Sequence, residues 1–191
     1  MEAIEVLMQE HRTIEQVLDA LEGFAGEVVR ARRTEKEELS RFVRFLREFA
    51  DGRHHAKEEG VLFEAMVEHG FPSRGGPIPV MLAEHEQGRA LIRVVAAHAQ
   101  QDGPWSDEDL ASLAEAAGQY AALLRVHIQK EDRILYPMAE RHLPEEAQEE
   151  VSARCRALDG PGGAHPADPH LALAERLATS HGPGVRARRS A

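Results

Sequence analysis

The chain contains one cysteine, Cys155, and few aromatic residues, which make up 5% of its 191 residues. A single cysteine excludes an intrachain disulfide framework and any zinc or iron–sulfur site that needs several thiolates from one chain. No apolar run approaches the roughly 20 residues of a membrane span. The acidic segment 1–10 also lacks the basic start and apolar centre of a secretory signal. We therefore expect a cytoplasmic protein with no membrane partner.

Basic residues are outnumbered as well, because 23 Lys and Arg accompany 33 Asp and Glu, for a net charge of -10. A negative field of this size argues against nonspecific binding to nucleic acid. The length fits one domain, with or without an appendage. Histidine, in contrast, is abundant, with 11 residues.

Apolar residues recur in steps of three and four along most of the chain, which is typical of amphipathic helices. The pattern predicts four long helices. The first begins at about residue 3, the second at a capping box, Thr34-Glu35-Lys36-Glu37, the third at about Pro77, and the fourth at the cap Ser106-Asp107-Glu108-Asp109. The connections are short and no segment shows sustained β alternation. The predicted fold class is therefore all-α, an up-down-up-down antiparallel four-helix bundle.

The chain beyond the fourth helix differs in composition. We predict the bundle over residues 1–142 and an additional helix, packed on the bundle or extending it, over 143–159. Residues 160–191 are predicted to form a Gly/Pro-rich linker, a short helix at about 168–179 and a frayed basic tail that ends in Arg186-Ala187-Arg188-Arg189.

One segment occurs twice, 73 positions apart. The first copy is His54-His55-Ala56-Lys57-Glu58-Glu59-Gly60-Val61-Leu62-Phe63, and the second is His127-Ile128-Gln129-Lys130-Glu131-Asp132-Arg133-Ile134-Leu135-Tyr136. Each copy places a histidine and a glutamate four positions apart, on one face of a helix. Glu10-His11 and Glu84-His85 form a second repeated pair, so the chain is interpreted as a duplicated helical hairpin.

The depths of these residues along the helices agree. His11 and His85 lie roughly 12 Å from the start of their helices, and His54 and His127 lie roughly 30 Å from the start of theirs. In an antiparallel bundle, all four would share one buried layer, in which unpaired carboxylates would cost several kcal/mol each. A metal centre removes this cost, and imidazole with carboxylate suits iron, manganese or zinc. The predicted metal ligands are His11, His54, Glu58, His85, His127 and Glu131.

His55 and Glu59 are the open alternative, one position from the chosen pair. The second copy favours His54 and Glu58, because Ile128 aligns with His55. His55 remains a candidate for lining the pocket or supporting the ligands. The other histidines are interpreted as surface residues from their spacing or position: His69, His98, His142, His165, His170 and His181.

The four motifs, in this order over roughly residues 1–140, resemble the hemerythrin-like (HHE cation-binding) domain family. The resemblance implies a four-helix bundle around two Fe ions joined by an oxo or hydroxo bridge, with Mn or Zn as the alternative metals. It assigns His11, His54, His85 and His127 as terminal ligands, and Glu58 and Glu131 as bridges. It also implies that the partner is a small ligand, O2, NO or peroxide; no redox or protein partner is indicated.

The third helix departs from the oxygen-carrying members of that family. These have a second histidine one turn from the first, whereas Met81 and Arg89 occupy the neighbouring turns here. The predicted ligands would leave one open position on each iron. This favours reaction with O2, NO or peroxide, in sensing or in oxidative or nitrosative stress response, over reversible O2 carriage.

Three alternatives remain. The first is a di-iron peroxidase or catalase-like enzyme; no catalytic residue outside the ligand set is predicted, so a metal-binding protein is favoured over an enzyme. The second is iron handling or iron–sulfur repair, although the repair branch carries an N-terminal Cys-bearing domain and the first helix here begins almost at Met1. The third is a structural bundle with a zinc site. The ferritin-like Glu-x-x-His pattern and the zinc-protease pattern His-Glu-x-x-His are absent from the sequence.

Overall fold

The computed structural model describes residues 1–159 and 168–183. Within them the chain is helical and has no β-strand, which confirms the all-α prediction. Residues 160–167, which belong to the predicted Gly/Pro-rich linker, and the basic tail lie outside the described residues.

Six helices make up the described chain. Helix α1 spans Glu2–Ala31. Helix α2 runs over 36–68, with α-helical ends at Lys36–Phe45 and Phe63–Glu68 and wider π-helical turns at Leu46–His55 and Glu58–Leu62. Helix α3 spans Pro77–Gln100. Helix α4 runs over 107–142, as Asp107–Lys130, π-helical Glu131–Leu135 and Tyr136–His142. Helices α5 and α6 span Glu145–Asp159 and Pro169–His181.

The four long helices form a bundle. Helix α1 packs against α4, α4 against α3, and α3 against α2, and the short connections are consistent with an up-down-up-down order. Helix α5 lies against α1 and the second π-helical segment of α2, whereas α6 lies against α1 and the first part of α2. No helix among the described residues is long and apolar enough to cross a membrane.

The two predicted helix caps have different outcomes. Ser106 forms a full capping box with Asp109, in which each side chain accepts a hydrogen bond from the other residue's backbone N–H. The cap predicted at Thr34 is wrong. Helix α2 begins at Lys36 without a side-chain cap, because the Thr34 hydroxyl oxygen accepts a hydrogen bond from the backbone N–H of Trp105 at 2.8 Å instead.

The π-helical turns explain the spacing of the buried stripe on α2. Leu46, Ala50, His54, Glu58 and Leu62 are all buried, although they follow one another in steps of four. In an α-helix with 3.6 residues per turn, each such step would rotate the stripe by about 40°. The wider turns keep these residues on one face, and π-helical turns often occur at functional sites.

A polar layer divides the core into two apolar clusters. One cluster contains residues such as Leu18, Phe42 and Leu113, and the other contains Leu7, Leu62 and Leu135. On each of the four long helices, the predicted ligands lie between the two clusters. Leu82 on α3, which the spacing of apolar residues in that helix predicts to be buried, is an exception, because it is 38% exposed.

Candidate metal centre

The six predicted ligands meet in this layer, and each is at most 1% exposed. With His55 they form two groups whose possible ligand atoms lie within 4.8 Å of one another. The first group comprises His11, His54, Glu58 and Glu131, and the second comprises His55, Glu58, His85 and His127. Metal binding by these residues remains a prediction, but their convergence provides two adjacent candidate sites that share Glu58.

The two groups are arranged alike. The rings of His11 and His54 have centroids 4.6 Å apart and an interplanar angle of 61°. The rings of His85 and His127 have the same separation and the same angle. The duplicated hairpin therefore produces two equivalent histidine pairs, one from α1 and α2 and the other from α3 and α4.

Each glutamate lies between the two pairs. Glu58 has Oε1 3.6 Å from Nε2 of His54 and Oε2 3.5 Å from Nε2 of His85. Glu131 has Oε2 3.3 Å from Nε2 of His11 and Oε1 3.2 Å from Nε2 of His127. Each carboxylate thus presents one oxygen to each half of the site, as a carboxylate that bridges two metal ions would.

The layer fits a cation. Oε2 of Glu58 and both carboxylate oxygens of Glu131 are buried without a hydrogen-bond partner, which is costly for groups inside a protein. Burial, followed by the neighbouring charge of Glu131, raises the pKa of Glu58 well above its usual value. Positive charge between the two carboxylates would satisfy these oxygens and remove their repulsion.

Acidic residues hold the outer nitrogens of the histidines. For each of the four predicted histidine ligands, Nδ1 contacts a carboxylate oxygen at 2.6–3.0 Å, which leaves Nε2 for a metal. The pairs are His11 with Asp132, His54 with Glu10, His85 with Glu59, and His127 with Glu84. Sequence reasoning missed this role, although a signal was present, because each of these acids stands next to a predicted ligand in the chain.

Two lysines extend the same symmetry outside the acidic residues, because each lysine contacts one of those acids. Lys57 contacts Glu10 at 2.5 Å, and Lys130 contacts Glu84. Lys57 is completely buried, and its ammonium group also contacts Asp159 at the end of α5, 2.9 Å away. The side chain of Lys130, in contrast, is 32% exposed.

His55 breaks the symmetry between the two halves. It is 4% exposed and stacks on His85 with ring centroids 3.8 Å apart. Its Nδ1 contacts Asp51 at 3.2 Å, and burial lowers its pKa to about 3, so the ring is the neutral imidazole that metals bind. Aligning the two copies selects His54 but cannot detect His55, because the second copy has Ile128 in its place.

Tyr136 breaks the symmetry a second time. Its hydroxyl group donates a hydrogen bond to Oε1 of Glu58 at 2.5 Å and lies 3.4 Å from Nε2 of His11. The aligned residue in the first copy is Phe63, whose ring lies 6.1 Å from that of His85. One half of the layer thus has a phenol group, and the other half has an additional imidazole.

The remaining described histidines lie away from the layer. His69 and His142 are exposed and His170 and His181 are partly exposed, whereas His165 lies outside the described residues. The surface assignment of His98 is wrong, since it is 8% exposed. Its Nε2 lies 3.1 Å from the hydroxyl oxygen of Ser112, and its backbone oxygen accepts a hydrogen bond from the indole of Trp105.

Residues 2–150 match the family model described as the hemerythrin HHE cation binding domain. No curated protein and no solved structure matches the chain. The match covers all four long helices and therefore every residue of the two candidate groups.

Proposed function

Because the chain belongs to the hemerythrin HHE cation-binding domain family, we propose that it is a non-haem di-iron protein that binds O2, NO or peroxide in sensing or in oxidative or nitrosative stress response. The observation that carries this proposal is the pair of glutamates, Glu58 and Glu131, each with one oxygen facing each histidine pair. A single metal would use only one half of this arrangement.

The donor set is compatible with iron. The imidazole and carboxylate groups at the site suit iron, manganese or zinc, whereas calcium and magnesium prefer oxygen ligands alone. Bound iron would supply redox chemistry and an affinity for small diatomic ligands. The protein's own residues would hold the two ions, keep them buried between the apolar clusters, and fix the imidazole orientation through the acidic residues at Nδ1.

His55 changes the expected number of open positions. The sequence predicts one open position on each iron, from a set of four histidines. If His55 also binds, the ion near His85 and His127 is complete, and the open position lies on the side of His11 and His54. The hydroxyl group of Tyr136 lies on that side, 3.4 Å from Nε2 of His11, and donates its proton to Oε1 of Glu58, so a small ligand bound there would compete with Glu58 for this proton.

Metal analysis and optical spectroscopy of one reconstituted sample test the proposal. We expect anaerobic loading with Fe(II) to give two irons per chain, and exposure to O2 and to NO to give separate absorption changes. His54→Ala should lose iron. His98→Ala is the matched control, because it removes a buried histidine outside the layer, and it should keep both irons. An iron content well below two per chain in the unmodified protein would contradict the di-iron proposal.

Peroxide turnover is a second candidate function, and Tyr136 favours it. Burial raises the pKa of Tyr136 well above its usual value, so its hydroxyl group stays protonated. It donates this proton to Glu58 and would have to give up that hydrogen bond to donate the proton to peroxide. We expect Tyr136→Phe to lower the rate of peroxide consumption while both irons remain bound. Rates that are equal in the unmodified protein and in His54→Ala would exclude turnover at this site.

A further inference from the structure

A cavity of about 310 Å³ opens beside the polar layer, between helices α2, α3 and α4. His55 and Asp51 form the part nearest the layer, and the side chains of Leu46 and Ile92 provide apolar walls. This volume lies at the lower end of the range of pockets that bind small molecules. Such pockets combine apolar walls with a few polar groups, and this cavity has both.

Two arginines at the cavity have no partner. Arg47 on α2 and Arg93 on α3 both line it and are exposed, and neither forms an ion pair or a side-chain hydrogen bond within the part of the chain that the structure describes. A third arginine, Arg89, is already held by Asp51 and Glu59, each at 2.7 Å. The two free guanidinium groups are therefore available to an anion, in a protein whose net charge is strongly negative.

Tyr120 provides an independent indication of a ligand. It lines the same cavity and is 2% exposed, yet its hydroxyl group has no hydrogen-bond partner among residues 1–159 and 168–183. Because the hydroxyl oxygen itself is not fully buried, it is open to the cavity, where a ligand would supply the missing hydrogen bond. Gly88 brings α3 close to this ring, since a Cβ atom there would lie 3.4 Å from Tyr120 Cε2, and the missing side chain helps to leave the cavity open.

We propose that this cavity binds a small organic anion, with its carboxylate on Arg47 and Arg93 and its apolar body against Leu46, Ile92 and the ring of Tyr120. Guanidinium groups bind carboxylates with charge-assisted hydrogen bonds. The apolar walls favour an organic anion over an inorganic one, because an inorganic anion would leave them without contacts. The hydroxyl group of Tyr120 then pairs with a polar substituent of the ligand. The cavity shares His55 with one candidate metal group, but Arg47, Arg93 and Tyr120 belong to neither group, so the proposal does not require that the proposed function be correct.

The probe for this site is 4-fluorobenzoate, whose ¹⁹F signal reports binding to the full-length protein. We expect saturable binding to the protein loaded with Fe(II), and a weakening of about tenfold in Arg47→Gln and in Arg93→Gln, since each loses a charge-assisted contact. Neutral 4-fluorobenzamide should bind more weakly than the benzoate. Arg30→Gln is the matched control, because Arg30 is exposed on α1 and does not line the cavity, and it should bind the probe as the unmodified protein does.

Two results would overturn the proposal. One is the absence of saturable binding to the unmodified protein. The other is equal affinity in the unmodified protein and in the Arg47→Gln/Arg93→Gln double variant, which would mean that the probe binds elsewhere, for instance at the metals. The iron content of each sample, measured in parallel, separates this result from a failure of the di-iron proposal. Gly88→Ala, which narrows the cavity without removing a charge, should also weaken binding, and its thermal melting reports whether the fold is retained.

Discussion

Tyr136 and Phe63 occupy the same position in the two copies of the duplicated hairpin, but only Tyr136 has a polar group to offer. Its hydroxyl group satisfies Oε1 of Glu58, which leaves Oε2 without a partner. The phenol therefore makes the two oxygens of one carboxylate unequal. Through this single hydrogen bond, the half of the layer near His11 differs from the half near His85.

Tyr136→Phe should destabilise the metal-free protein by about 1–3 kcal/mol, because a buried carboxylate oxygen loses its donor. Urea denaturation measures the change in the free energy of unfolding. Tyr120→Phe is the control: its hydroxyl group has no partner among the described residues, so it should change stability by no more than about 0.5 kcal/mol. Equal costs for the two variants would mean that the contact with Glu58 contributes nothing.

His55→Ile gives the first copy the residue that the second copy has, Ile128. We expect it to weaken the binding of one of the two metal ions by at least about tenfold, since even residues that only orient ligands have effects of this size. The other ion should be unaffected. Competition with a chelator of known affinity, measured in metal titrations, resolves the two ions. Unchanged affinity for both would show that His55 lines the cavity without binding metal.

At the scale of the helix, α2 departs most from regular α-helical geometry. Its π-helical turns carry His54, His55 and Glu58, and the same kind of turn recurs at Glu131–Leu135 of α4. Helix α2 is also where α5 is attached. Lys57 links Glu10, which supports His54, to Asp159 at the end of α5. Arg53 contacts the same two carboxylates, so α5 is connected to the candidate metal layer by two cations, of which Lys57 is fully buried.

Lys57→Met should cost up to about 3–5 kcal/mol, the range for removing one partner of a buried ion pair, because Glu10 and Asp159 lose the fully buried one of their two shared cations and keep only Arg53. Lys130→Met is the matched variant in the second copy. It should cost no more than about 1 kcal/mol, because Lys130 is partly exposed and water screens its pair with Glu84. Chemical denaturation measures both. Similar costs would mean that the attachment of α5 adds no stability.

At the scale of the whole molecule, the polar layer is a weak point of the metal-free protein. It separates the two apolar clusters across all four long helices, and it contains two buried carboxylates with unsatisfied oxygens. Any cation that binds only the folded chain stabilises it by mass action. The stability of the bundle should therefore depend on its metal.

Metal loading should raise the melting temperature, and a chelator should lower it again. A metal at 100 times its dissociation constant stabilises a one-site protein by about 2.7 kcal/mol. Fe(II) should have this effect, whereas Mg²⁺ should not, because it prefers oxygen ligands. Calorimetry with each ion and with the chelator measures the shift. A melting temperature that does not depend on Fe(II) would contradict the coupling between metal and fold.

The sequence by itself determined the helices and most of the layer. Apolar residues spaced three and four positions apart identified the buried faces, as for Ile14 and Leu18 on α1. This is possible because residues at that spacing lie on the same face of a helix. The repeated His-x-x-x-Glu pairs and their depths identified six residues that the fold brings together. These features depend on positions within one helix, and the regular rise and rotation per residue of a helix convert sequence spacing directly into spatial position.

Only the tertiary structure decided which groups lie across the bundle from one another. The cap at Thr34 failed because Trp105, far away in the sequence, competes for its hydroxyl oxygen. His98 proved buried because of its packing against α4 and Trp105. The roles of His55, Tyr136 and Lys57 depend on contacts with other helices, and no spacing within one segment encodes such contacts. Symmetry could be inferred from the repeat, whereas the departures from symmetry, which make the two halves of the layer chemically different, required the folded chain.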